Sequence, residues 1–326
     1  MQRQVTTRLD SRSDGVNNSR KNKLFVVIKS YAGDIRRVDL LLRSMESHNL
    51  EKIPIFLFVP KSDLKQFTYL INQSGQDINV INDEAAIELN KSILIEELKR
   101  LPGSIAQQIV KSEAWRFITK SYREESIDYL CLDSESIFIN DFQEKNFYSE
   151  GGNLYTVMHS NEALLNLARE KKIFKVERDF IRSCEEMKSV FGRAGENYAF
   201  SPTPVLWSSR VWQDLEEYYL KPKKKNILNA IVQRPNELHW YGEALLKYVS
   251  IPIQPIQPIF RVYHYDWEFF EATKQGETLE TLRSQYLGIL KQSNWHYELD
   301  SGAQAARKSA PSRLVRYIKR NIAKFR

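Results

Sequence analysis

The sequence predicts an α/β fold in which a mixed sheet is flanked by helices. Two observations carry this prediction, namely four short apolar runs and the helical patterns between them. The runs occupy 24–28 (LFVVI), 53–59 (IPIFLFV), 78–81 (INVI) and 129–132 (YLCL). Short apolar runs of this kind are typical of strands buried on both faces of a parallel sheet. Their alternation with helical patterns favours a parallel sheet covered by helices.

Helical patterns follow the first three runs in turn. After the first run, the apolar residues at 38, 41, 42 and 45 share one face of a helix. A second helix is expected over 62–71, with Ser62 as its cap and an acid in its first turn. Residues 84–123 are mostly helical in pattern, with an interruption at 101–103 where Pro and Gly stand together.

The second half of the chain is expected to add strands and a helical excursion to this core. In chain order the patterns predict strands over 136–139 and 154–158, a charged helical excursion over 161–192, a strand over 204–207, helices over 209–219 and 229–248, an extended proline-spaced segment over 251–263, and a last helix over 279–290.

The composition is that of an ordinary globular protein, with 42% hydrophobic and 27% charged residues in 326. No stretch reaches 18 consecutive apolar residues, so no transmembrane helix is expected. Cys131 and Cys184 are too few for a disulfide framework or a cysteine zinc site. The polar segment 1–22 predicts a disordered N-terminus without a signal peptide, followed by a folded domain over 23–300 and a basic tail over 301–326. A cytoplasmic protein fits these features.

The net charge of +7 is mostly a property of the tail. Residues 307–326 contain eight Lys and Arg and no acid, so the remainder is nearly neutral. On a helix, Leu314, Ile318, Ile322 and Phe325 would share one face, which is the pattern of an amphipathic helix lying on an anionic membrane. A disordered basic end and a helix docked on the body are the alternatives.

An acidic turn directly after the run at 129–132 is the sharpest feature of the sequence. Asp133 and Glu135 are two positions apart, which lets both carboxylates lie on the same side of an extended turn. In open α/β sheets, ligands bind at the carboxyl ends of the strands. Such a pair suits a hard cation such as Mg²⁺ or Mn²⁺. The alternative is a strand end with solvated acids.

The chain resembles glycosyltransferases of the GT-A nucleotide-sugar fold at two short motifs. These are Gln107-Gln108-Ile-Val-Lys111 and Leu132-Asp133-Ser134-Glu135, which resemble the QQxxK and LDSD motifs of bacterial glycosyltransferase-like families. The resemblance spans roughly 24–267 and departs from the family at Glu135, where an aspartate is usual. It implies a GT-A-like fold with a Rossmann-type sheet.

The resemblance also implies roles for several residues. Ser30, Tyr31 and Asp34 would contact the nucleobase, with Arg36 or the neighbouring Arg37 near the phosphates. Gln107, Gln108 and Lys111 would face the nucleotide sugar, and His264 would complete the metal site of Asp133 and Glu135. The alternatives are an ordinary turn after the first strand, a solvated helix face and a core histidine.

The acceptor side is expected in the second half of the chain. Glu237 is the candidate general base or acceptor-binding acid, and Glu243 is the reserve, because an inverting transfer needs a carboxylate that accepts the proton of the acceptor hydroxyl. Either could equally be an exposed helix carboxylate. By resemblance, Thr203 and Trp207 touch substrate. Tryptophans at 207, 240 and 267 could stack on a sugar, although most tryptophans are core residues.

The expected function is a metal-dependent transfer of a sugar from a nucleotide-diphosphate or nucleotide-monophosphate donor, with a UDP-sugar favoured, to a glycan or glycolipid acceptor. The setting would be bacterial surface polysaccharide synthesis, in the cytoplasm or at the inner face of the membrane. One alternative is a nucleotidyltransferase acting on sugar phosphates, although the turn at 30–34 has a single glycine where such enzymes have a glycine-rich loop. The other is a non-catalytic protein that binds nucleic acid or membranes. Nucleic acid is not an expected partner, because the positive charge is concentrated at one end.

Overall fold

A computed structural model describes residues 22–72 and 74–292 of the chain. The predicted disordered N-terminus, except for Asn22, and the predicted basic tail over 301–326 lie outside these residues. Within the described part of the chain, no helix combines the length and the apolarity that crossing a bilayer requires.

The described residues form ten strands in three sheets. In chain order they are β1 (Leu24–Lys29), β2 (Ile55–Val59), β3 (Ile78–Asn82), β4 (Asp128–Asp133), β5 (Ser136–Phe138), β6 (Thr156–Val157), β7 (Val205–Ser208), β8 (Pro255–Ile256), β9 (Phe260–Tyr263) and β10 (Gly288–Lys291). The main sheet has the order β3-β2-β1-β4-β7, in which the first four strands are parallel and β7 is antiparallel to β4. This order confirms the predicted mixed α/β sheet.

Twelve α-helices connect these strands in the described part of the chain. They are α1 (Ile35–His48), α2 (Leu64–Ile71), α3 (Asp83–Ile87), α4 (Ile95–Lys99), α5 (Gly103–Tyr122), α6 (Glu162–Glu170), α7 (Phe174–Phe191), α8 (Ser209–Leu215), α9 (Ile227–Gln233), α10 (Glu237–Tyr248), α11 (Asp266–Lys274) and α12 (Leu279–Arg283). The predicted helical excursion over 161–192 is the pair α6 and α7, which pack against each other.

The strands β1, β2 and β4 are buried on both faces, as their continuous apolar sequences require, whereas the edge strand β3 is only half-buried. The helix α5 covers one face of the sheet. Its Tyr122 meets the ring of Phe25 edge-on at a centroid distance of 4.7 Å, and Phe25 meets Phe56 in the same way. Aromatic pairs of this geometry add to the free energy gained from burial. The packing fixes α5 against the centre of the sheet.

The register of the parallel strands brings their carboxyl ends to one edge. Lys29 at the end of β1 pairs with Phe58 of β2 on one side and with Asp133 of β4 on the other. Val59 of β2 in turn pairs with Asn82 of β3. The residues that follow these four strands therefore lie next to one another along a single edge of the sheet.

The predicted last helix over 279–290 is wrong in its second half. The helix α12 ends at Arg283, and Gly288–Lys291 forms the strand β10 between β5 and β9. A methyl group at Gly288 would overlap the ring of Phe260 and the carbonyl oxygen of Ile137, so glycine lets this strand fit closely. Pairing with two distant strands overrides the local helical pattern.

The predicted helix over 229–248 is two helices in the structure. The helix α9 ends at Gln233, and α10 begins at Glu237 after a break that contains Pro235. The Asn236 side chain caps α10 by accepting a hydrogen bond from the backbone N–H of His239 at 3.1 Å. The break matters for function because it places Glu237 in the first turn of a helix, where α10 meets α5.

Candidate active site at the carboxyl ends of the parallel strands

A cavity of about 660 Å³ lies at the carboxyl edge of the main sheet, and we call it the cleft. All four parallel strands contribute to its lining. The contributing residues are Lys29, Ser30 and Tyr31 after β1, Pro60 after β2, Asp83 after β3, and Asp133, Ser134 and Glu135 at the end of β4. A cavity at this edge is where ligands bind in open α/β sheets.

Helices close the cleft on its other sides. The first three turns of α5 supply Gln107, Gln108 and Lys111, and the first turn of α10 supplies Glu237. The structure thus brings into one cavity nine of the twelve residues that the sequence nominated. These are Ser30, Tyr31, Asp34, Gln107, Gln108, Lys111, Asp133, Glu135 and Glu237.

Lys111 lies between two carboxylates at the base of the cleft. Its Nζ is 2.5 Å from Oδ1 of Asp133 and 3.6 Å from Oε1 of Glu237. The Lys111 side chain is 4% exposed, so these charges interact with little solvent screening. Thr203 donates its hydroxyl proton to the second oxygen, Oδ2, of Asp133. Both oxygens of Asp133 are therefore held in place.

The pKa values of Lys111, Asp133 and Glu237 follow from their burial and from the opposite charges that lie next to one another. Burial alone would lower the pKa of Lys111, but the carboxylates of Asp133 and Glu237 outweigh it and raise that pKa. Burial opposes ionisation of Asp133, yet the ammonium of Lys111 holds the pKa of Asp133 below its usual value. Burial raises the pKa of Glu237, which Lys111 offsets only in part. Glu237 is thus the stronger base of the two acids.

The turn after β1 forms the opposite side of the cleft. Asp34 pairs with Nη1 of Arg37, and Ser134 donates to its second oxygen at 3.2 Å. The predicted phosphate contact Arg36 is exposed and does not line the cleft, whereas the neighbouring Arg37 is buried and does. The reason is the helical period of α1, because adjacent residues on a helix face different directions.

Two charged residues that line the cleft, Lys29 and Asp83, were not predicted as site residues from the sequence. The Nζ of Lys29 is 3.0 Å from Oδ2 of Asp83 and donates to the carbonyl oxygen of Ser30 at 2.6 Å. Burial raises the pKa of Asp83 to about 6 despite the ammonium beside it, and burial lowers the pKa of Lys29. Their positions directly at strand ends were the signal that could have identified them.

Several polar atoms of the cleft are buried without a hydrogen-bond partner among the described residues. They are Oγ of Ser30, Oδ1 of Asp83 and Oε1 of Gln108. A buried polar atom without a partner costs roughly 1–3 kcal/mol. Such a cluster on one cavity wall is suited to a ligand that donates hydrogen bonds to it.

Asp133 and Glu135, the predicted metal ligands, are two of the five acids that line the cleft. Both offer carboxylate oxygens, which Mg²⁺ and Mn²⁺ prefer, and Mg²⁺ is commonly held by one or two carboxylates together with substrate phosphates. Each oxygen of Asp133 accepts one hydrogen bond, and a carboxylate has about four lone-pair sites, so capacity remains for a metal. The residues present therefore fit such an ion.

The predicted third metal ligand, His264, does not join these acids. Its ring lines a separate cavity that it shares with His159, and no group of three or more His, Cys, Asp and Glu in residues 22–72 and 74–292 could hold a metal ion. Burial lowers the pKa of His264 to about 4. His264 follows β9, which β10 separates from β5 and the acidic turn, so this histidine lies two strands away from that turn in the small sheet.

The reserve base Glu243 lies outside the cleft. Both of its carboxylate oxygens accept hydrogen bonds from Arg193, at 2.6 and 2.7 Å, and its side chain is 1% exposed. Trp207 and Trp240 are fully buried in the core, and Trp267 stacks on Tyr265 and lines neither cavity. Thr203, by contrast, reaches the cleft group through its hydrogen bond to Asp133.

Fold and site together define an α/β protein with a charged cleft at the carboxyl edge of its parallel strands. The chain belongs to a family of unknown function, DUF6492, which matches residues 24–295. No curated protein matches the chain in sequence.

Solved structures with distant similarity include three that are named as sugar transferases. Mouse xyloside xylosyltransferase 1 matches at 7% identity over 83% of this chain and 98% of its own, with a TM-score of 0.46. The WbbM bifunctional glycosyltransferase matches at 12% identity over 84% of this chain and 46% of its own, also at 0.46. The galactosyltransferase LgtC matches at 12% identity over 88% and 99%, with a TM-score of 0.43. Because these scores are below 0.5, they define neither the fold nor the activity of this chain.

Proposed function

We propose that this protein is a glycosyltransferase that moves a sugar from a nucleotide donor to a carbohydrate acceptor. The observation that carries the proposal is the buried group in which Lys111 lies between Asp133 and Glu237 at the base of the cleft. Each member of this group can serve one step of a sugar transfer. The cation Lys111 can bind the donor phosphates, Asp133 can hold a metal that assists departure of the leaving group, and Glu237, with its raised pKa, can activate the acceptor.

The donor's phosphates would meet the cations of the cleft. Lys29, Arg37 and Lys111 all line it, and Lys and Arg are the side chains that bind phosphate oxygens. Asp133 and Glu135 would hold a divalent cation, which when bound neutralises the charge that develops on a leaving diphosphate. We also propose that the fold is the GT-A variant of the α/β fold and that the donor is a UDP-sugar.

The acceptor would react beside Glu237. In an inverting transfer, the acceptor oxygen bonds to the anomeric carbon, and the bond from that carbon to the phosphate oxygen breaks. The electron pair of the broken bond leaves with the nucleotide, and the acceptor proton passes to the Glu237 carboxylate. The raised pKa of Glu237 suits this step. In a retaining transfer, the same carboxylate would stabilise the positive charge that develops on the sugar ring.

The proposed setting is bacterial surface polysaccharide synthesis in the cytoplasm, with a glycan or glycolipid acceptor. Two free, buried thiols, Cys131 and Cys184, fit a reducing compartment. The basic residues over 307–326 would bring the enzyme to the anionic inner face of the membrane.

A nucleotide panel in a thermal-shift assay tests the proposal. The full chain is heated with UDP, GDP, CDP, ADP and CMP, each with and without Mn²⁺, and one of them should raise the Tm. Asp133→Ala should abolish the shift, and Glu150→Ala, an exposed acid outside the cleft, should keep it. A positive nucleotide then serves as the donor moiety in a transfer assay. If no nucleotide shifts the Tm under any condition, the proposal is wrong.

A further inference from the structure

A second cavity of about 370 Å³ lies beside α6 and the β9 strand. Its apolar lining comes from Leu164, Pro202, Pro258 and Phe260. This volume is within the range of small-molecule pockets, in which apolar walls carry a few polar groups. The cavity is distinct from the cleft, because the two share none of their lining residues.

The polar side chains of this cavity are available to a ligand. Ser160, Asn161, Gln257 and Tyr286 line it, and within residues 22–72 and 74–292 none of their side chains makes a hydrogen bond. Hydroxyl and amide groups both donate and accept hydrogen bonds. A ligand rich in hydroxyl groups would satisfy all four.

Arg261 is held in the wall of the cavity by a buried acid. Its Nη1 donates to Oε1 of Glu268 at 3.0 Å and its Nε donates to Glu277 at 3.0 Å. Glu268 is 4% exposed and also accepts a hydrogen bond from the backbone N–H of His264 at 2.9 Å. This leaves Nη2 of Arg261 without a partner among the described residues. The guanidinium is thus fixed in orientation with one donor group to spare.

The charge of the cavity disfavours an anion. Arg261 is its one cationic lining residue in the described part of the chain, and Glu162 and Glu268 are acids. His159 and His264 add no positive charge near neutral pH, because burial lowers the pKa of both. The cleft is lined by three cations and five acids, so it offers more cations to a phosphate than the second cavity does. A neutral ligand suits the second cavity, where a single cation faces two acids.

One short segment of the chain separates the second cavity from Asp133 of the cleft. Pro202 lines the cavity, and the next residue, Thr203, donates to Asp133. On the cavity side, His159 donates from Nε2 to the carbonyl oxygen of Ser201 at 2.6 Å and accepts at Nδ1 from the backbone N–H of Asn161. A ligand in the cavity would therefore lie close to the chain segment that holds Asp133.

We propose that this second cavity binds a neutral saccharide unit of the acceptor, next to the cleft in which the donor reacts. Ser160, Asn161, Gln257 and Tyr286 exchange hydrogen bonds with its hydroxyl groups, and the half-buried ring of Pro258 packs on its C–H groups. This inference rests on the proposed glycosyltransferase function, because it assigns the acceptor of that reaction. The bound unit is held away from the reacting carbon and orients the rest of the acceptor.

Saturation-transfer NMR on the full chain with lactose, cellobiose and maltose tests this inference. At least one of these neutral disaccharides should receive saturation. Gln257→Ala and Tyr286→Phe should each weaken its Kd about five- to tenfold, as expected for the loss of one hydrogen bond. Both variants should keep the Tm of the parent, because neither side chain has a partner among the described residues. Gln275→Ala, an exposed glutamine outside the cavity, is the matched control.

Saccharide binding and nucleotide binding, measured on the same proteins, test the second cavity and the proposed function independently. A disaccharide whose binding depends on Gln257, in a protein that binds no nucleotide, would support the cavity and overturn the transferase proposal. Nucleotide binding with no saturation of any of the three sugars would overturn the saccharide site alone. Sugar binding that is unchanged in both cavity variants would also overturn it.

Discussion

The ammonium of Lys111 lies 2.5 Å from Oδ1 of Asp133, in a position that protein atoms almost fully enclose. Helix α5 carries the lysine and strand β4 carries the acid, so the ion pair joins a helix to the edge of the sheet. The pair therefore has a structural role as well as a place in the cleft, and experiments must separate the two.

Replacement of Lys111 should destabilise the fold. Lys111→Ala leaves the buried carboxylate of Glu237 and the partly exposed carboxylate of Asp133 without their cation, which should cost up to about 3–5 kcal/mol. Urea denaturation measures the free energy of unfolding. Lys120→Ala, an exposed position near the end of the same helix, should change it by less than about 0.5 kcal/mol. Equal effects of the two substitutions would contradict the buried ion pair.

Glu237 and Glu243 should respond differently to the same substitution. Glu237→Gln should reduce sugar transfer about 10²- to 10⁴-fold, with the Kd of the donor nucleotide nearly unchanged, because it removes a proton acceptor. Glu243→Gln breaks the bidentate pair with Arg193, so it should lower the free energy of unfolding by about 3 kcal/mol and leave turnover of the folded enzyme intact. The comparison of kcat with urea stability decides between these roles. A loss of transfer from Glu243→Gln alone would reverse the assignment.

His239 should make the fold sensitive to acid. Burial lowers the pKa of His239 to about 4, whereas an unfolded histidine titrates near about 6.5. The unfolded chain therefore binds the proton first, and stability that is complete above about pH 6.5 is lost as the pH falls towards 4. From pH 7 to pH 5 this contribution amounts to about 2 kcal/mol. The drop in unfolding free energy should be smaller by that amount in His239→Gln, and an equal drop in both proteins would refute the effect.

Gly288 tests the position of β10. Gly288→Ala should cost about 1–3 kcal/mol, because the added methyl group would overlap Phe260 and the Ile137 carbonyl oxygen. At Gly103, where no atom lies within 4 Å of an added methyl, alanine should be tolerated. Thermal unfolding of the two variants checks the contrast. A neutral Gly288→Ala would mean that β10 does not lie between β5 and β9.

The sheet edge of the site could be predicted from the sequence because its signals are local. Three of the four parallel strands contain an uninterrupted apolar run, and the acids at 133 and 135 follow one of these runs directly. The rule that carboxyl ends of parallel strands share an edge then brings the turn after β1 and the acidic turn together. Lys111 was predicted at the nucleotide sugar from the family resemblance, and Glu237 was predicted as a base from the need for a carboxylate, but that both line one cavity is seen only in the structure.

For the residues whose positions were not predicted from the sequence, the position is set by partners that lie far away in the sequence. Glu243 is 50 residues from the arginine that engages it, and no local pattern reveals that pair. His264 follows a strand whose direction is set by pairing with β10, a segment that itself has a helical pattern. Asp83 was overlooked because an acid at the start of a helix has an ordinary structural explanation. Tertiary contacts decide each of these cases.

The place of β10 in the three-stranded sheet has a practical consequence for shortened versions of the protein. It is the central strand, so a chain that stopped before Gly288 would leave β5 and β9 each with a row of unpaired backbone N–H and C=O groups. Such open edges recruit strands from other molecules. Truncation at that point should therefore cause self-association, while the parallel sheet and its cleft keep their own strand pairing.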